Sequence, residues 1–538
     1  GLNVDWMIND QLSANFDGYV STVDYAQDLR FARFGKDLDN SEFIFDSTGT
    51  IPDITAPGVD DLAGYEYLQG SIREISTEAE NYGITANFTY DIDDNYFFSS
   101  VNFGIHYDET DIESKRTNST GSKLSDYADN SDGSKGDYDA DIIADGLTGD
   151  VLDEDFIDGE FAPARWPIAD YDAIVAVDPR LATLSFKELG TDPLQSYEMT
   201  ESILALYSQV NLDTEVFGLP LRGNFGVRAV LTDNESTAEQ EVVKDGITEV
   251  GPFTVQNDYW EILASFNLNL GIQEDMALRF AVSRTISRPD YQDMAPINRI
   301  NVKDPGEIGT ATIGNPDLDP MSSINFDITY EWYTKYDGAF VFSWFYKDVS
   351  DFIIQDTKNS VTLPGYDQTL LFNAKTNFNA SDGNAEGVEI GLLQPLSKLV
   401  PALDGFGFSI NYTYVESEFD EDVGDAGFGF PGSSKDNFNF IGFYEEDFYS
   451  IRLAYTYRSS FFRSLQGTGS QSSKARFSGE QEKLNVNVNI KPMKGLSIKL
   501  SANNITGEKR RDFIGQQDIF MDYFDRGRTY SLTANYKF

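Results

Sequence analysis

The sequence predicts an all-β fold, a transmembrane antiparallel β-barrel of about seventeen strands. Three observations predict it. Apolar residues recur with a period of two over runs of about ten residues, the length a tilted strand needs to cross a bilayer. The residues between them are mostly Asn, Ser, Thr and single charges, which suits a wet interior opposite a lipid-facing wall. The runs are joined alternately by tight turns and long polar connections.

Taken along the chain, ladders run through Leu12–Val20 and Tyr82–Tyr90. Between Tyr259 and Leu270, Trp260, Ile262, Ala264, Phe266, Leu268 and Leu270 alternate with Glu261, Leu263, Ser265, Asn267 and Asn269. Ile324–Trp332 follows. Then Leu484, Val486, Val488 and Ile490 alternate with Asn485, Asn487, Asn489 and Lys491, and Leu496, Ile498, Leu500 and Ala502 with Ser497, Lys499, Ser501 and Asn503. Tyr530–Phe538 closes the series. A slip of one residue would place Asn ladders in hydrocarbon, so these two late segments are predicted to pair as a hairpin with Leu, Ile and Val outward.

Turn chemistry marks Ile8-Asn9-Asp10, Ile92-Asp93-Asp94-Asn95, Gln273-Glu274-Asp275, Lys335-Tyr336-Asp337-Gly338 and Met493-Lys494-Gly495 as tight. Long connections are expected near 25–75, 110–198, 235–256, 288–320, 420–434, 460–480 and 507–526. A soluble sandwich shares the period of two but has no reason to alternate loop lengths in this way. Tight turns are expected on the periplasmic side and long loops outside.

Composition removes most other classes. The formal charge is −49, with 89 acidic and 40 basic residues, which repels nucleic acid. A hydrophobic fraction of 40% and an aromatic fraction of 14% exclude a disordered acidic chain. There is no Cys and one His, His106, so thiolate nucleophiles, disulfides and multi-histidine metal centres are out. No catalytic residue, metal or cofactor is expected. No apolar run approaches a membrane-spanning helix. Gly1–Trp6 has neither a basic region nor an apolar signal core and reads as the middle of a strand, so the expectation is an N-terminally incomplete barrel domain over 1–538.

The longest connection, 110–198, is the most acidic, with Asp126, Asp129, Asp132, Asp137, Asp139, Asp141, Asp145 and Asp150 among glycines. Placing Gly133 at the sixth position of a calcium loop puts Ala128 where the first Asp belongs, so the EF-hand pattern fails and a solvated acidic surface is expected.

Several segments resemble signatures of the TonB-dependent outer-membrane transporters. They are Tyr207-Ser208-Gln209-Val210-Asn211 with Phe217-Gly218-Leu219-Pro220-Leu221-Arg222-Gly223-Asn224 and Gly226-Val227-Arg228; Ser283-Arg284-Thr285-Ile286-Ser287-Arg288-Pro289; Gly314-Asn315-Pro316-Asp317-Leu318-Asp319-Pro320; Asn384-Ala385-Glu386-Gly387-Val388-Glu389; and Ala502-Asn503-Asn504-Ile505-Thr506. Their order and their places at strand borders carry the resemblance. It implies a Gram-negative outer-membrane barrel of twenty-two strands, of which the last seventeen are present, and a plug domain that this chain does not contain. It also implies energy from the TonB complex through that absent plug segment, contact with outer-membrane lipid, and reading of the C-terminal Phe538 by the barrel-assembly machinery.

Within that family the style of sequence looks closer to the oligosaccharide-uptake branch than to siderophore receptors. The residues add that Trp166, Asp170, Tyr171, Asp290 and Tyr291 lie in long connections, where rings can stack on sugars and carboxylates can take hydroxyls. Tyr366, Phe428 and Phe430 are further loop aromatics. An anionic ferric siderophore would prefer a basic mouth, which the charge of −49 argues against. The competing readings are a ferric-siderophore receptor and a passive porin whose lumen is constricted by the inward-folded loop 110–198.

Overall fold

The computed structural model describes the chain except for residues 37–43, 47–52, 56–64, 93–96, 118–146, 149–167, 178–189, 245–246, 302–306, 364–368, 380–381, 421–427, 467–473, 516–518 and 538. Trp166, Tyr366, Phe538, the acidic cluster 126–145 and Asp150 lie outside the described residues.

Among the described residues the main sheet has 17 strands, from Leu2–Met7 to Thr529–Tyr536, each antiparallel to its neighbour. The expected hairpin is there. Gln481–Met493 pairs with Leu496–Asn503 in the register Val488↔Leu500 and Asn487↔Ser501. On its polar face the Ser501 hydroxyl donates to Asn487 Oδ1 and that of Ser497 to Asn489 Oδ1, both at 2.8 Å. Elsewhere Asn15 donates to Asn3 at 3.0 Å, Tyr207 to Asn87 at 2.8 Å, and Asn267 to Asn224 at 2.9 Å. Amide ladders satisfy one another across strands, so this face needs no apolar cover.

The opposite face is apolar and open. Ile84 is 65% exposed, Trp260 60% and Leu532 69%, and rings pair across strands, as Phe88 does with Phe103 at 5.2 Å. Large side chains left bare in a continuous band mark the surface that meets lipid. Its edge is legible in the register. One line of outward residues reads Trp260, Leu231, Leu204, Tyr107, Ile84; the next outward line reads Asp258, Asp233, Ser202, Glu109, Tyr82. Tyr82 and Tyr107 both donate to Glu109, and Ser202 joins them at 3.1 Å. The wall changes from aliphatic, through an aromatic girdle, to carboxylate within two residues.

Replacing Val488 with Arg is therefore expected to lower the stability of the membrane-inserted barrel by about 2–4 kcal/mol, while Asn487→Arg costs little. Urea titration of folding into lipid vesicles measures both. Equal losses would mean the faces are assigned wrongly.

The tight turns form as their residues require. Asn9 Oδ1 accepts from the Gln11 and Leu12 amides, both at 2.9 Å, and Gly495 adopts φ 86° between Met493 and Leu496. The two-residue link Phe217-Gly218, with φ 55° and 77°, is a further tight turn, of the kind that matches strand twist.

The strands run further than the sequence reading placed them. Leu12–Lys36 and Tyr65–Asp91 stay paired to Lys36↔Tyr65, and Leu219–Lys244 with Ile247–Gln273 to Lys244↔Ile247. Much of 25–75 and nearly all of 235–256, expected as loop, is thus ladder. Beyond the lipid edge no apolar face is needed, and polar pairs such as Thr237 with Thr254, at 2.8 Å, hold the hairpin in water.

The buried apolar clusters sit at the long-loop end. One small sheet joins Asn298–Asn301, Ile308–Ile313, Leu371–Asn379 and Ile353–Val361 over Ala311, Leu363, Phe372 and Ala374. A second joins Phe461–Gln466, Lys474–Ser478, Lys509–Ile514 and Phe520–Asp525 over Phe428, Phe462 and Ala475. Phe428 and Phe430 therefore pack loops on one another: Phe428 stacks on Phe462 at 4.0 Å, and Phe430 lies 5.1 Å from both Phe352 and Phe419.

Candidate functional site

At the long-loop end, Asp170 and Tyr171 open the short helix Tyr171–Val177. Asp170 Oδ1 accepts from the Ala173 amide at 3.0 Å, and Ile174, fully buried, anchors the helix. Both Asp170 and Tyr171 are exposed.

Asp290 and Tyr291 belong to another segment, which folds back onto the polar inner wall of the sheet. Pro289 ends the strand Met276–Ser287, and the turn Tyr291–Met294 is tied down by the Asp290 carbonyl, which accepts from the Asp293 amide at 2.9 Å. The Tyr291 ring packs on Met199, Met294 and Leu318, and its hydroxyl donates to Glu201 Oε1 at 3.0 Å. That geometry makes Tyr291 an anchor for its loop. Its neighbour Arg288 donates to Thr232 Oγ1 at 3.1 Å and lies 3.9 Å from Glu201 Oε2.

Glu201 sits in the register line Asn257↔Asn234↔Glu201, beyond the lipid edge. It is buried, and its Oε2 has no hydrogen-bond partner. Burial pushes its carboxyl up from the ordinary value; Arg288 and the Tyr291 hydroxyl pull the other way. Burial likewise raises Asp293, with Asp290 adding to it. Asn257 completes the dock by donating to the Pro316 carbonyl at 3.2 Å.

The second constellation lies on the loop sheet of 461–525. Alternation gives this sheet two faces. Phe462, Phe477 and Phe513 point to the apolar cluster, with Phe477 stacked on Phe513 at 5.4 Å. The other face gathers Arg476, Arg510 and Asp512. Asp512 is fully buried and accepts from Arg463 at 2.5 Å and Arg476 at 2.8 Å, with Arg510 at 3.3 Å. Arg476 also reaches Asp522 at 2.6 Å, and the Arg510 guanidinium covers the Phe524 ring at 3.9 Å. Beside it a cavity of about 330 Å³ is lined by the amides of Gln481, Asn485, Asn503 and Asn504 and by the cations Lys483, Arg510 and Arg526.

The expectation of an acidic mouth fails at this place. Net charge is a sum over the chain and has no position, whereas these arginines are brought together by sheet pairing from separate loops. The signal was present: residues 461–478 hold Arg463, Lys474 and Arg476 and no acid. Nearer the tight turns, the inner wall carries its own polar cavity of about 550 Å³, where Arg222 pairs with Asp213 at 3.2 Å and Arg279 forks onto Glu331 at 2.8 and 3.1 Å. His106 faces the same interior, its Nδ1 2.8 Å from the Thr85 hydroxyl.

Comparison with known proteins gives a consistent result. The family described as TonB dependent receptor-like, beta-barrel, matches residues 5–505. The chain is similar to the ferric-catecholate import receptor Fiu of E. coli K12, with TM-score 0.61 and 13% identity, covering 100% of this chain and 63% of that one. It is similar to the siderophore receptor PiuA of Acinetobacter baumannii, with TM-score 0.56, 12% identity and coverage of 100% and 63%. For the ferric citrate transporter FecA the TM-score is 0.56, the identity 12% and the coverage 100% and 60%. At these identities the likeness is one of fold, and the chain spans about three fifths of the length of each, 60–63%. No curated protein matches.

Proposed function

The chain belongs to the TonB-dependent receptor β-barrel family, and from that premise we propose that the whole protein imports a polar ligand captured at its long-loop mouth. Membership places the barrel in the outer membrane of a Gram-negative bacterium, among receptors and transporters and not among enzymes. The uptake itself is our reading, with TonB supplying energy through a plug segment of the whole protein.

The ligand class we favour is an oligosaccharide. The polar mouth cavity carries this: the Asn503 amide, the Asn485 amide nitrogen and the Gln481 amide oxygen line it side by side, which is what a hydroxyl-rich ligand uses, while Asn504 is spent on its own turn, donating to the Glu508 and Gly527 carbonyls and accepting from the Glu508 amide. Asp170 and the exposed Tyr171 support it. Tyr291 contributes through loop docking instead of stacking. A second reading, a ferric-siderophore receptor, is favoured by the arginine face around Asp512, because the objection from net charge no longer holds there.

Uptake of labelled oligosaccharides and ferric chelates by cells carrying the full-length receptor, with and without TonB, is the test. Oligosaccharide uptake that stops without TonB is expected. Uptake of the ferric chelate alone would replace the ligand class. Uptake indifferent to TonB would make the protein a passive channel.

A further inference from the structure

We propose that the arginine face around Asp512 and the adjoining mouth cavity form an oxyanion subsite, which binds a carboxylate, sulfate or phosphate group carried by the ligand. The proposal deepens the uptake reading and rests on it for the word ligand; the anion site itself rests on geometry.

Four guanidiniums, those of Arg463, Arg476, Arg510 and Arg526, share this corner with two carboxylates, Asp512 and Asp522. Asp512 has no exposed surface, so its charge is spent inward, holding the three arginines that converge on it. The remaining positive charge is packed against itself. Burial chiefly, and then the neighbouring Arg463, Arg526 and Arg476, hold Arg510 below its usual range against the pull of Asp512. Like charges gathered this closely are unfavourable unless an anion joins them.

Hydrogen-bond capacity tells the same story. The Nε of Arg476 is buried without an acceptor, while that of Arg510 faces Asp512 Oδ1 at 3.3 Å, off the line of a hydrogen bond, with that oxygen equally unmet. A buried charged donor left unmet is costly, and a planar guanidinium matches two oxygens of a carboxylate, sulfate or phosphate. Arg510 is further fixed by its stack on Phe524, so its donors are oriented in advance.

The cavity supplies the room. Arg510, Arg526 and Lys483 line it opposite amides, and the one acid among the lining residues is Glu508, with Glu482 and Glu480 near it; burial first, and then these like charges, push the Glu508 carboxyl up and make it easier to neutralise. A chain of charge −49 repels polyanions at long range. Only a ligand matched to this local cluster recovers the loss, which makes the subsite selective as well as attractive.

The test uses the purified full-length receptor in detergent and calorimetry with three probes: inorganic sulfate, an oligogalacturonate and ferric citrate, beside a neutral oligosaccharide of equal length. Sulfate is expected to compete with whichever organic anion binds, and that anion names the source of the oxyanion. Arg526→Gln and Lys483→Gln, which leave Asp512 and its partners in place, should each weaken anion binding about tenfold or more. Binding of the neutral sugar should not change, nor should anion binding in Arg279→Gln lower in the interior. No anion binding by the unmodified receptor, or binding that survives both substitutions, would overturn the subsite. Sulfate binding that needs these residues, in a receptor whose uptake is indifferent to TonB, would leave the subsite standing and remove the transport reading instead.

Discussion

Asp512→Asn is expected to destabilise the loop sheet of 461–525 by about 3–5 kcal/mol, the range for removing one partner of a buried ion pair. The side chain keeps its size, so the loss is electrostatic. Arg463 and Arg476, which donate to it at 2.5 and 2.8 Å, would face an amide, and Arg510 would lose its counter-charge. The apolar face of the sheet, Phe428, Phe462, Phe477 and Phe513, does not depend on this carboxylate, and neither does the membrane-spanning wall. Amide hydrogen exchange should therefore speed up in Lys474–Ser478 and Lys509–Ile514 and stay unchanged in Gln481–Met493. The companion Asp522→Asn should cost well under about 1 kcal/mol, because that carboxylate is 40% exposed and water can replace its partner. Equal effects from the two substitutions would show that burial of Asp512 does not set the strength of the cluster.

Arg288→Met should undock the inward segment by about 3 kcal/mol at pH 7. The lower end of the buried-pair range applies because Arg288 and Glu201 stand 3.9 Å apart without a hydrogen bond. What remains is a buried carboxylate with the Tyr291 hydroxyl as its partner. The loss depends on pH with a definite sign. Burial raises the Glu201 carboxyl above its ordinary 4.5, so its contribution to docking is complete below that value and falls away as pH rises through the raised one. Removing the Arg288 cation raises it further. Hydrogen exchange at Tyr291–Ile297 should therefore show a large defect at pH 7 and a smaller one at pH 5. A defect that grows on acidification would contradict the assignment of Glu201 as the titrating group.

How much of this was legible in the sequence depends on the range over which each feature is written. The hairpin Gln481–Met493 with Leu496–Asn503, its register and its faces could be read directly, because a period of two is a local property and lipid enforces it. The extension of Leu12–Lys36 beyond the bilayer could not, since in water a strand pair needs no apolar face and its residues look like loop. The loop sheets escaped for a different reason. Ile308–Ile313 pairs with Leu371–Asn379 across some sixty residues, and no short window contains both. Tyr291 looked like an open platform for the same reason: the residues that bury it, Met199 and Leu318, come from distant segments. The arginine site was hidden twice, by dispersal along the chain and by a net charge of the opposite sign.

The parallel pairing of Ile308–Ile313 with Leu371–Asn379 ties two of the long loops into a single sheet over Ala311, Phe372 and Ala374. Loops that answer only to themselves can be lengthened, exchanged or lost one at a time, and lineages commonly diversify at such tips. These two have no such freedom. Each supplies hydrogen bonds and core side chains that the other lacks, so replacing either alone strands the backbone of its partner. The structural unit at this end of the barrel is the pair, and a receptor engineered to carry a new mouth would have to receive both loops together.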